Sequence, residues 1–254
     1  MNLRVLGCSG GIGADLRTTS LLIDDDILID AGSGVGDLTL EELENIKHIF
    51  LTHTHMDHFI FLPLMVDSIF GSIKEPVIVH GQPKTIEALK THIFNWTIWP
   101  DFSKLPTVEN PVMAFETMLP GATMTLNGRT LEMIQVNHIV PGVGYRVECD
   151  SGSFAFTGDT TNHDNFWEVM NRYDTLDLLI CEVAFPNALE DLAKRAGHYS
   201  PQLLALDLVK LRHYPDIYIS HTKPGKEDVI VSECREAVPT RTIHRLFGGT
   251  QFTL

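Results

Sequence analysis

Short apolar runs separated by turn residues dominate the first part of the chain. Apolar residues at 2–7, 19–24 and 26–30 predict three short strands, the last two joined as a hairpin by an acidic turn. A threonine followed by glutamates in the first turn predicts a short helix over 39–45. The apolar run that follows predicts a buried strand over 47–52. The chain therefore opens as β-structure and passes into strand and helix alternation.

The same pattern returns after the middle of the chain. An Asn-Gly dipeptide at 127–128 and an Asp-Ser-Gly sequence at 150–152 predict hairpin turns. The further predicted strands are 76–80, 122–127, 129–137, 143–149, 153–157, 176–181, 216–220 and 243–247, and the further predicted helices are 58–70, 83–94, 162–172, 201–212 and 226–236. Hairpins followed twice by strand-helix alternation predict an α/β (α+β) protein with two sheets and helices outside them. No Pro/Gly/Ser-rich linker divides the chain, so we expect one domain over 1–254.

Composition narrows the class of protein. Hydrophobic residues make up 44% and charged residues 20%, which is typical of a folded globular chain. The apolar run at 59–66 is far shorter than the roughly 18 residues that span a bilayer, and no leader pattern precedes it, so we expect a cytoplasmic protein without a membrane partner. With 19 Lys and Arg against 33 Asp and Glu, the net charge of −14 disfavours a long nucleic acid and leaves a small substrate open. The four cysteines lie far apart and predict reduced thiols.

Four candidate metal ligands follow the buried strand that ends near residue 52. They form the sequence His53-x-His55-x-Asp57-His58. His53 and His55 are two apart on an extended segment and point to the same side, whereas Asp57 and His58 fall where the chain turns into the next helix. One segment can therefore serve two neighbouring metals. The alternative is a solvated polar turn.

Two metals need more ligands than this segment offers. His138, Asp159 and His221 each follow a predicted strand directly, at the end where open sheets place their sites. Each one alone could be an ordinary loop residue. Together with the first motif they predict a dinuclear site.

The succession of these motifs resembles the five-motif pattern of the metallo-β-lactamase superfamily over nearly the whole chain. The Asp57-His58 pair and the opening 6–11, Leu-Gly-Cys-Ser-Gly-Gly, resemble its phosphodiesterase branch, which includes class II cyclic nucleotide phosphodiesterases and ribonuclease Z. The resemblance implies a four-layer αββα sandwich of two mixed sheets. It also implies that Asp30 hydrogen-bonds to or supports a ligand-bearing loop. The implied ligand sets are His53, His55 and His138 for one metal, Asp57, His58 and His221 for the other, and Asp159 as the bridge.

The resemblance also suggests how the leaving oxygen receives its proton. His198 would be the general acid and Glu182 the residue that orients it, and we count Asp57 with them among the catalytic residues. The alternative is a helix-start histidine and a strand-end carboxylate without a role in catalysis. Lys223 could bind a phosphate oxygen of the substrate, or it could be an exposed turn lysine.

Five imidazoles and two carboxylates suit two divalent metal ions, zinc first, with manganese or iron as alternatives. The predicted function is hydrolysis of 3′,5′-cyclic nucleotides, such as cyclic AMP, to 5′-monophosphates through a hydroxide shared by the metals. Ribonuclease Z-like cleavage of tRNA precursors is one alternative, although only 20 residues separate His138 from Asp159, too few for the arm with which many ribonucleases Z grip tRNA. A non-catalytic, regulatory metal-binding relative is the other.

An aromatic segment at 91–106 begins in the last turn of the predicted third helix and contains Trp96 and Trp99. It is either a packed surface excursion that could form a homodimer contact or a lid over the substrate. The sequence leaves both interpretations open.

Overall fold

The computed structural model describes residues 1–254. Fourteen strands form two mixed sheets of seven strands each. In chain order the strands are β1 Asn2–Gly7, β2 Ser20–Ile23, β3 Ile27–Ile29, β4 His48–Phe50, β5 Val77–Gly81, β6 Met113–Thr117, β7 Thr123–Leu126, β8 Arg129–Gln135, β9 Val143–Cys149, β10 Gly152–Phe156, β11 Leu178–Glu182, β12 Asp216–Ser220, β13 Ile243–Arg245 and β14 Gln251–Thr253. The helices are α1 Leu40–Asn45, α2 Phe61–Ser68, α3 Pro83–His92, α4 Asn165–Met170, α5 Glu190–Ala196, α6 Pro201–Leu208 and α7 Glu227–Ala237.

Each sheet is half antiparallel and half parallel. The first has the order β14-β1-β2-β3-β4-β5-β6, antiparallel as far as β3 and parallel from β3 to β6. The second has the order β13-β12-β11-β10-β9-β8-β7, parallel as far as β10 and antiparallel beyond it. Successive halves of the chain build the two sheets, except that β14 returns to pair with β1.

Three apolar cores separate four layers. Phe50, Tyr145 and Phe154 belong to the core between the two sheets, since alternate residues of each strand point inward. Residues of α1, α2 and α3 pack on the outer face of the first sheet, and residues of α4 to α7 pack on the outer face of the second. This αββα arrangement confirms the predicted fold class. None of the helices has the length and apolar character needed to cross a membrane.

Some elements differ from the prediction. The helix predicted over 58–70 begins later, because a 3₁₀ turn at Met56–His58 precedes α2. The strands β6 and β14 and the helix α5 were not predicted. Of the residues in α5 only Ala193 is buried, so this helix has no apolar stripe for periodicity to detect.

The aromatic segment at 91–106 packs against the first sheet's outer core. Phe94 and Phe102 are buried there with 1% and 2% of their surface exposed. Trp96 and Ile98 are instead exposed, at 58% and 61%. The segment therefore has a buried aromatic base and an apolar outer surface.

The loops that bear chemistry lie where strands of both sheets end. The loops that follow β3, β4, β8, β10 and β12 carry, in that order, Asp30, the His53 to His58 motif, His138, Asp159 and His221. Glu182 is the last residue of β11 itself. Carboxyl ends of strands are where α/β proteins place their sites.

Candidate metal centre

Ligand atoms from both sheets converge on the carboxylate of Asp159, which is 2% exposed. Its Oδ2 lies 3.2 Å from His221 Nε2, 3.3 Å from His58 Nε2 and 3.7 Å from His53 Nε2. Asp57 Oδ2 is 3.2 Å from the same nitrogen of His221. The structure therefore brings together residues that are up to 168 positions apart, between His53 and His221.

The seven predicted ligands form two adjoining groups. Within each group the candidate ligand atoms lie within 4.8 Å of one another. The first group is His53, His55, His138 and Asp159, and the second is Asp57, His58 and His221. Asp159 joins the first group and also approaches His58 and His221 of the second, so its carboxylate lies where the two groups adjoin.

The buried polar atoms of this cluster fit a metal site. His53 Nε2, His58 Nε2 and Asp159 Oδ1 are buried and have no hydrogen-bond partner in the protein. Buried polar atoms are nearly always paired, and a set of unpaired imidazole nitrogens around a carboxylate is the donor set that zinc and similar cations bind. The residues present therefore fit a site for divalent metal ions.

Asp30 fixes the ring of His58 from behind. Asp30 is completely buried, and its Oδ2 accepts a hydrogen bond from His58 Nδ1 at 2.7 Å. It also accepts bonds from the backbone N–H and the hydroxyl of Thr52, both at 2.8 Å. Because Nδ1 carries the proton, Nε2 of His58 is left with its lone pair toward the cluster. The backbone of Asp30 is left-handed, with φ of +59°, a conformation that Asp and Asn adopt more readily than other residues.

His221 depends on a close approach of the N-terminal loop. Its backbone is also left-handed, with φ of +56°, and its N–H donates to the carbonyl of Cys8 at 2.6 Å. A Cβ atom on Gly10 would lie 2.4 Å from the carbonyl oxygen of His221. The glycine thus lets the loop pass directly beside this ligand.

The surroundings of three histidines and of Asp159 favour the protonation states that ligands need. Burial lowers the pKa of His53, His55 and His138, so these imidazoles are neutral near pH 7. Burial alone would raise the pKa of Asp159, but His221 and His58 outweigh it and hold that pKa well below its usual value. Neutral imidazoles and an ionised carboxylate are the metal-binding forms. His58 differs, because burial is outweighed by the charges of Asp159 and Asp30, which raise its pKa well above the usual value, so a metal ion would have to displace a proton from this ring.

His198 and Glu182 lie beside the ligand cluster. Glu182 Oε1 is 2.9 Å from His198 Nδ1, and the ring of His198 stacks on that of His221 with centroids 5.2 Å apart. A ring nitrogen of His198 lies within 4.8 Å of the ligand atoms of Asp159 and His221. Burial would lower the pKa of His198, but the charge of Glu182 outweighs it and raises that pKa, which favours a protonated ring.

Lys223 lies next to the N-terminal loop. Its ammonium donates a hydrogen bond to the carbonyl of Gly10 at 2.8 Å and lies 5.9 Å from the ring of Phe185. This contact holds the glycine-containing loop against the segment that carries His221.

The sequence pattern missed three groups that support the site. Thr52 Oγ1 contacts both Asp30 and His53, at 2.8 and 3.0 Å. The backbone N–H of Thr160 donates to Glu182 at 3.0 Å, and the carbonyl of Gly197 accepts from His138 Nδ1 at 2.8 Å. Two of these groups belong to the backbone and carry no side-chain signal, but the position of Thr52 directly before His53 could have indicated its role.

An αββα fold with this ligand cluster at the ends of its strands defines a protein of the metallo-β-lactamase type. The family model described as the β-lactamase superfamily domain matches residues 25–216, and the chain belongs to that family.

Relatives with assigned names fall into two groups. A probable 3′,5′-cyclic-nucleotide phosphodiesterase of Yersinia pestis is 28% identical over 209 residues, which are 72% of this chain and 58% of that protein. A ribonuclease Z of Pyrococcus abyssi is 30% identical over 128 residues, which are 47% of this chain and 37% of that protein. The chain therefore matches little more than half the length of the first relative and about a third of the second.

Solved structures share the fold along the whole chain. Unliganded yeast PDE1 superimposes with a TM-score of 0.83 and 18% identity, covering 100% of this chain and 99% of that one. The metallo-β-lactamase fold protein YhfI of Bacillus subtilis gives a TM-score of 0.79 with 18% identity, covering 99% of each chain. At these identities the likeness establishes the fold.

Proposed function

We propose that the protein is a metal-dependent phosphodiesterase that hydrolyses 3′,5′-cyclic nucleotides, such as cyclic AMP, to 5′-monophosphates. The observation that carries this proposal is the His198 and Glu182 pair, held at 2.9 Å beside two adjoining groups of metal-ligand atoms. A proton donor next to such a centre suits a reaction in which an alkoxide leaves.

His53, His55 and His138 would hold one metal ion, Asp57, His58 and His221 the other, and Asp159 would lie between them. When bound, two divalent ions, zinc first and manganese or iron as alternatives, would supply a hydroxide nucleophile near neutral pH and offset the charge of the phosphoryl oxygens. Asp30 keeps the proton of His58 on Nδ1, so that Nε2 stays available as a ligand.

His198 would protonate the departing 3′ oxygen of the cyclic nucleotide. Glu182 Oε1 accepts a hydrogen bond from His198 Nδ1, so Nε2 would be the nitrogen that faces the substrate. The carboxylate also stabilises the positive charge of the imidazolium before the proton is transferred. Lys223, two positions after His221 and hydrogen-bonded to the carbonyl of Gly10, would attract an anionic substrate.

A small substrate agrees with the charge of the protein. The net charge of −14 repels a long polyanion, whereas the metal ions would add positive charge at the site itself. Cleavage of tRNA precursors is the second candidate, because the ribonuclease Z of Pyrococcus abyssi is 30% identical over its matched segment. Against it, β9 and β10 pair directly through a tight turn, so no arm extends between His138 and Asp159.

The test begins with protein stripped of metal by a chelator and reloaded with Zn²⁺ or Mn²⁺. We expect cleavage of bis-p-nitrophenyl phosphate and of cyclic AMP, with 5′-AMP as the product, and little cleavage of a tRNA precursor. No activity on any phosphodiester would overturn the proposal. Cleavage of the precursor alone would favour the second candidate.

The variant His198→Ala tests the role of the proton donor. We expect it to keep both metals and to lose about 10²- to 10⁴-fold in kcat for cyclic AMP. His244→Ala is the matched control, since His244 is partly exposed and lies on β13 away from the cluster. Loss of metal in His198→Ala would make His198 a ligand instead of an acid.

A further inference from the structure

A buried carboxylate lies behind the proposed proton donor, outside the metal ligands. Asp207, in α6, is 1% exposed. Its Oδ2 accepts hydrogen bonds from Trp167 Nε1 and the backbone N–H of His163, both at 3.1 Å, and from the hydroxyl of Tyr199. Its Oδ1 is paired with Lys210 Nζ at 2.7 Å. Four donors therefore converge on one carboxylate.

A buried, ionised carboxylate lowers the stability of a fold unless it is fully hydrogen-bonded, because the charge loses its hydration. Burial alone would raise the pKa of Asp207, but Lys210 and Tyr199 outweigh it and lower that pKa, so the carboxylate is ionised. Hydrogen bonds to a charged acceptor are stronger and more directional than neutral ones. The position of the Tyr199 hydroxyl is accordingly fixed by a strong bond.

Tyr199 connects this carboxylate to the proposed acid. The residue follows His198 directly and is completely buried. Its backbone N–H donates to Glu182 Oε1 at 3.2 Å, and this same oxygen is 2.9 Å from His198 Nδ1. The hydroxyl at one end of Tyr199 and the backbone at the other thus join Asp207 to the atom that orients the imidazole.

We infer that Tyr199 is a positioning residue for His198 and that Asp207 is its anchor. The inference rests on the proposed function, in which His198 donates a proton to the leaving oxygen. A displacement of about 1 Å in a reacting group can cost on the order of 10²-fold in rate, so a fixed backbone at residue 199 matters directly for proton transfer. Asp207 also accepts a hydrogen bond from the backbone N–H of His163, in the β10–α4 loop that carries Asp159. It therefore links this loop to the segment that carries His198.

The first test is Tyr199→Phe, which removes only the hydroxyl. For cyclic AMP we expect kcat to fall about tenfold with KM nearly unchanged, as one buried hydrogen bond to a charged group is lost. For bis-p-nitrophenyl phosphate we expect almost no change, because nitrophenolate leaves without a proton. Tyr214→Phe is the matched control, since Tyr214 is 78% exposed. An equal loss for both substrates would overturn the inference and indicate a structural role alone.

The second test repeats the substitution in a His198→Ala background. If Tyr199 acts through His198, Tyr199→Phe causes no further loss there, because coupled residues are not additive. A persisting tenfold loss would overturn the inference. Should Tyr199→Phe fail to fold, site-specific 3-fluorotyrosine at 199 keeps the shape and changes only the acidity of the hydroxyl. The expected result is then a changed rate for cyclic AMP alone, and equal effects on both substrates would overturn the inference.

A third measurement separates this inference from the proposed function. The imidazole Nδ1–H resonance of His198 should shift or broaden in Tyr199→Phe, whether or not any phosphodiester is cleaved. If the wild-type protein cleaves no phosphodiester while this resonance responds, the proposed function fails and the positioning contact stands. An unchanged resonance would overturn the inference.

Discussion

The role of the contact between Asp30 and His58 in metal binding can be tested by a substitution that replaces one oxygen of the carboxylate. In Asp30→Asn one carboxylate oxygen becomes an NH₂ group without a change in size. The three groups that Asp30 binds, the N–H and hydroxyl of Thr52 and Nδ1 of His58, all donate or can donate to it. Either orientation of the amide therefore sets its NH₂ against a donor.

Of the two orientations, the one that costs less free energy keeps the backbone hydrogen bond of Thr52 and changes the tautomer of His58. If the amide oxygen faces the backbone N–H of Thr52, its NH₂ faces His58 and favours the tautomer that carries the proton on Nε2. That atom is 3.3 Å from Asp159 Oδ2 and would no longer offer a lone pair to a metal. Loss of such a supporting contact costs about 10- to 100-fold in metal affinity, or about 1.4 to 2.7 kcal/mol. The fold should tolerate the change, because asparagine adopts the left-handed conformation that φ of +59° requires.

The assay is a titration of stripped protein with Zn²⁺ against a competing chelator, together with urea unfolding of the metal-free form. Asp24→Asn is the matched control, since Asp24 also has a left-handed backbone, with φ of +50°, and lies at the β2–β3 turn away from the ligands. We expect weaker binding in Asp30→Asn alone. Wild-type affinity in that variant would refute the role given to Asp30.

Two further variants test the packing beside the site and the pH dependence of stability. Gly10→Ala should displace His221, whose carbonyl oxygen would lie 2.4 Å from the new Cβ, and reduce metal binding and activity, whereas Gly71→Ala has no atom within 4 Å and should leave both unchanged. His80 is completely buried and hydrogen-bonded to His48 at 3.0 Å, and burial lowers its pKa to about 4. Between about pH 4 and 6.5 the unfolded chain binds a proton that the folded protein does not. The free energy of unfolding should therefore decrease as the pH is lowered from about 6.5 to 4, by up to about 3 kcal/mol. Urea unfolding of His80→Leu across this range should show a flatter profile, and an unchanged profile would contradict the assignment.

Much of the fold could be predicted from the sequence, since most strands carry their own apolar signal. The strand β9 was predicted with the bounds that the structure has, Val143–Cys149, because the apolar residues Val143, Tyr145 and Val147 alternate with others between two turn sequences. The strand β14 has only three residues and forms by pairing with β1, a partner about 250 positions away along the chain. Pairing of that kind leaves no local pattern to detect. At the edge strand β6 only Met113 is buried, which gives no alternation.

The candidate ligands could be predicted because imidazoles and carboxylates that directly follow strands are chemically conspicuous. The structure brings all seven of these side chains together. The support behind them could not be predicted in the same way. Asp207 in a helix is most often solvent-exposed, and nothing in its neighbours indicates that Tyr199 and Trp167 turn toward it. Such contacts depend on the packing of distant segments.

If the proposed metal site is occupied, the division of its ligands between the two sheets would make the stability of the fold depend on metal supply. The first sheet contributes the His53 to His58 segment, and the second contributes His138, Asp159 and His221. A metal ion held from both sides would bind the folded chain far better than the unfolded one. Its contribution to stability would grow with the logarithm of its free concentration, to about 4 kcal/mol at a thousand times the dissociation constant. At a low concentration of that metal the protein would therefore lose stability, and with it lifetime, as well as activity.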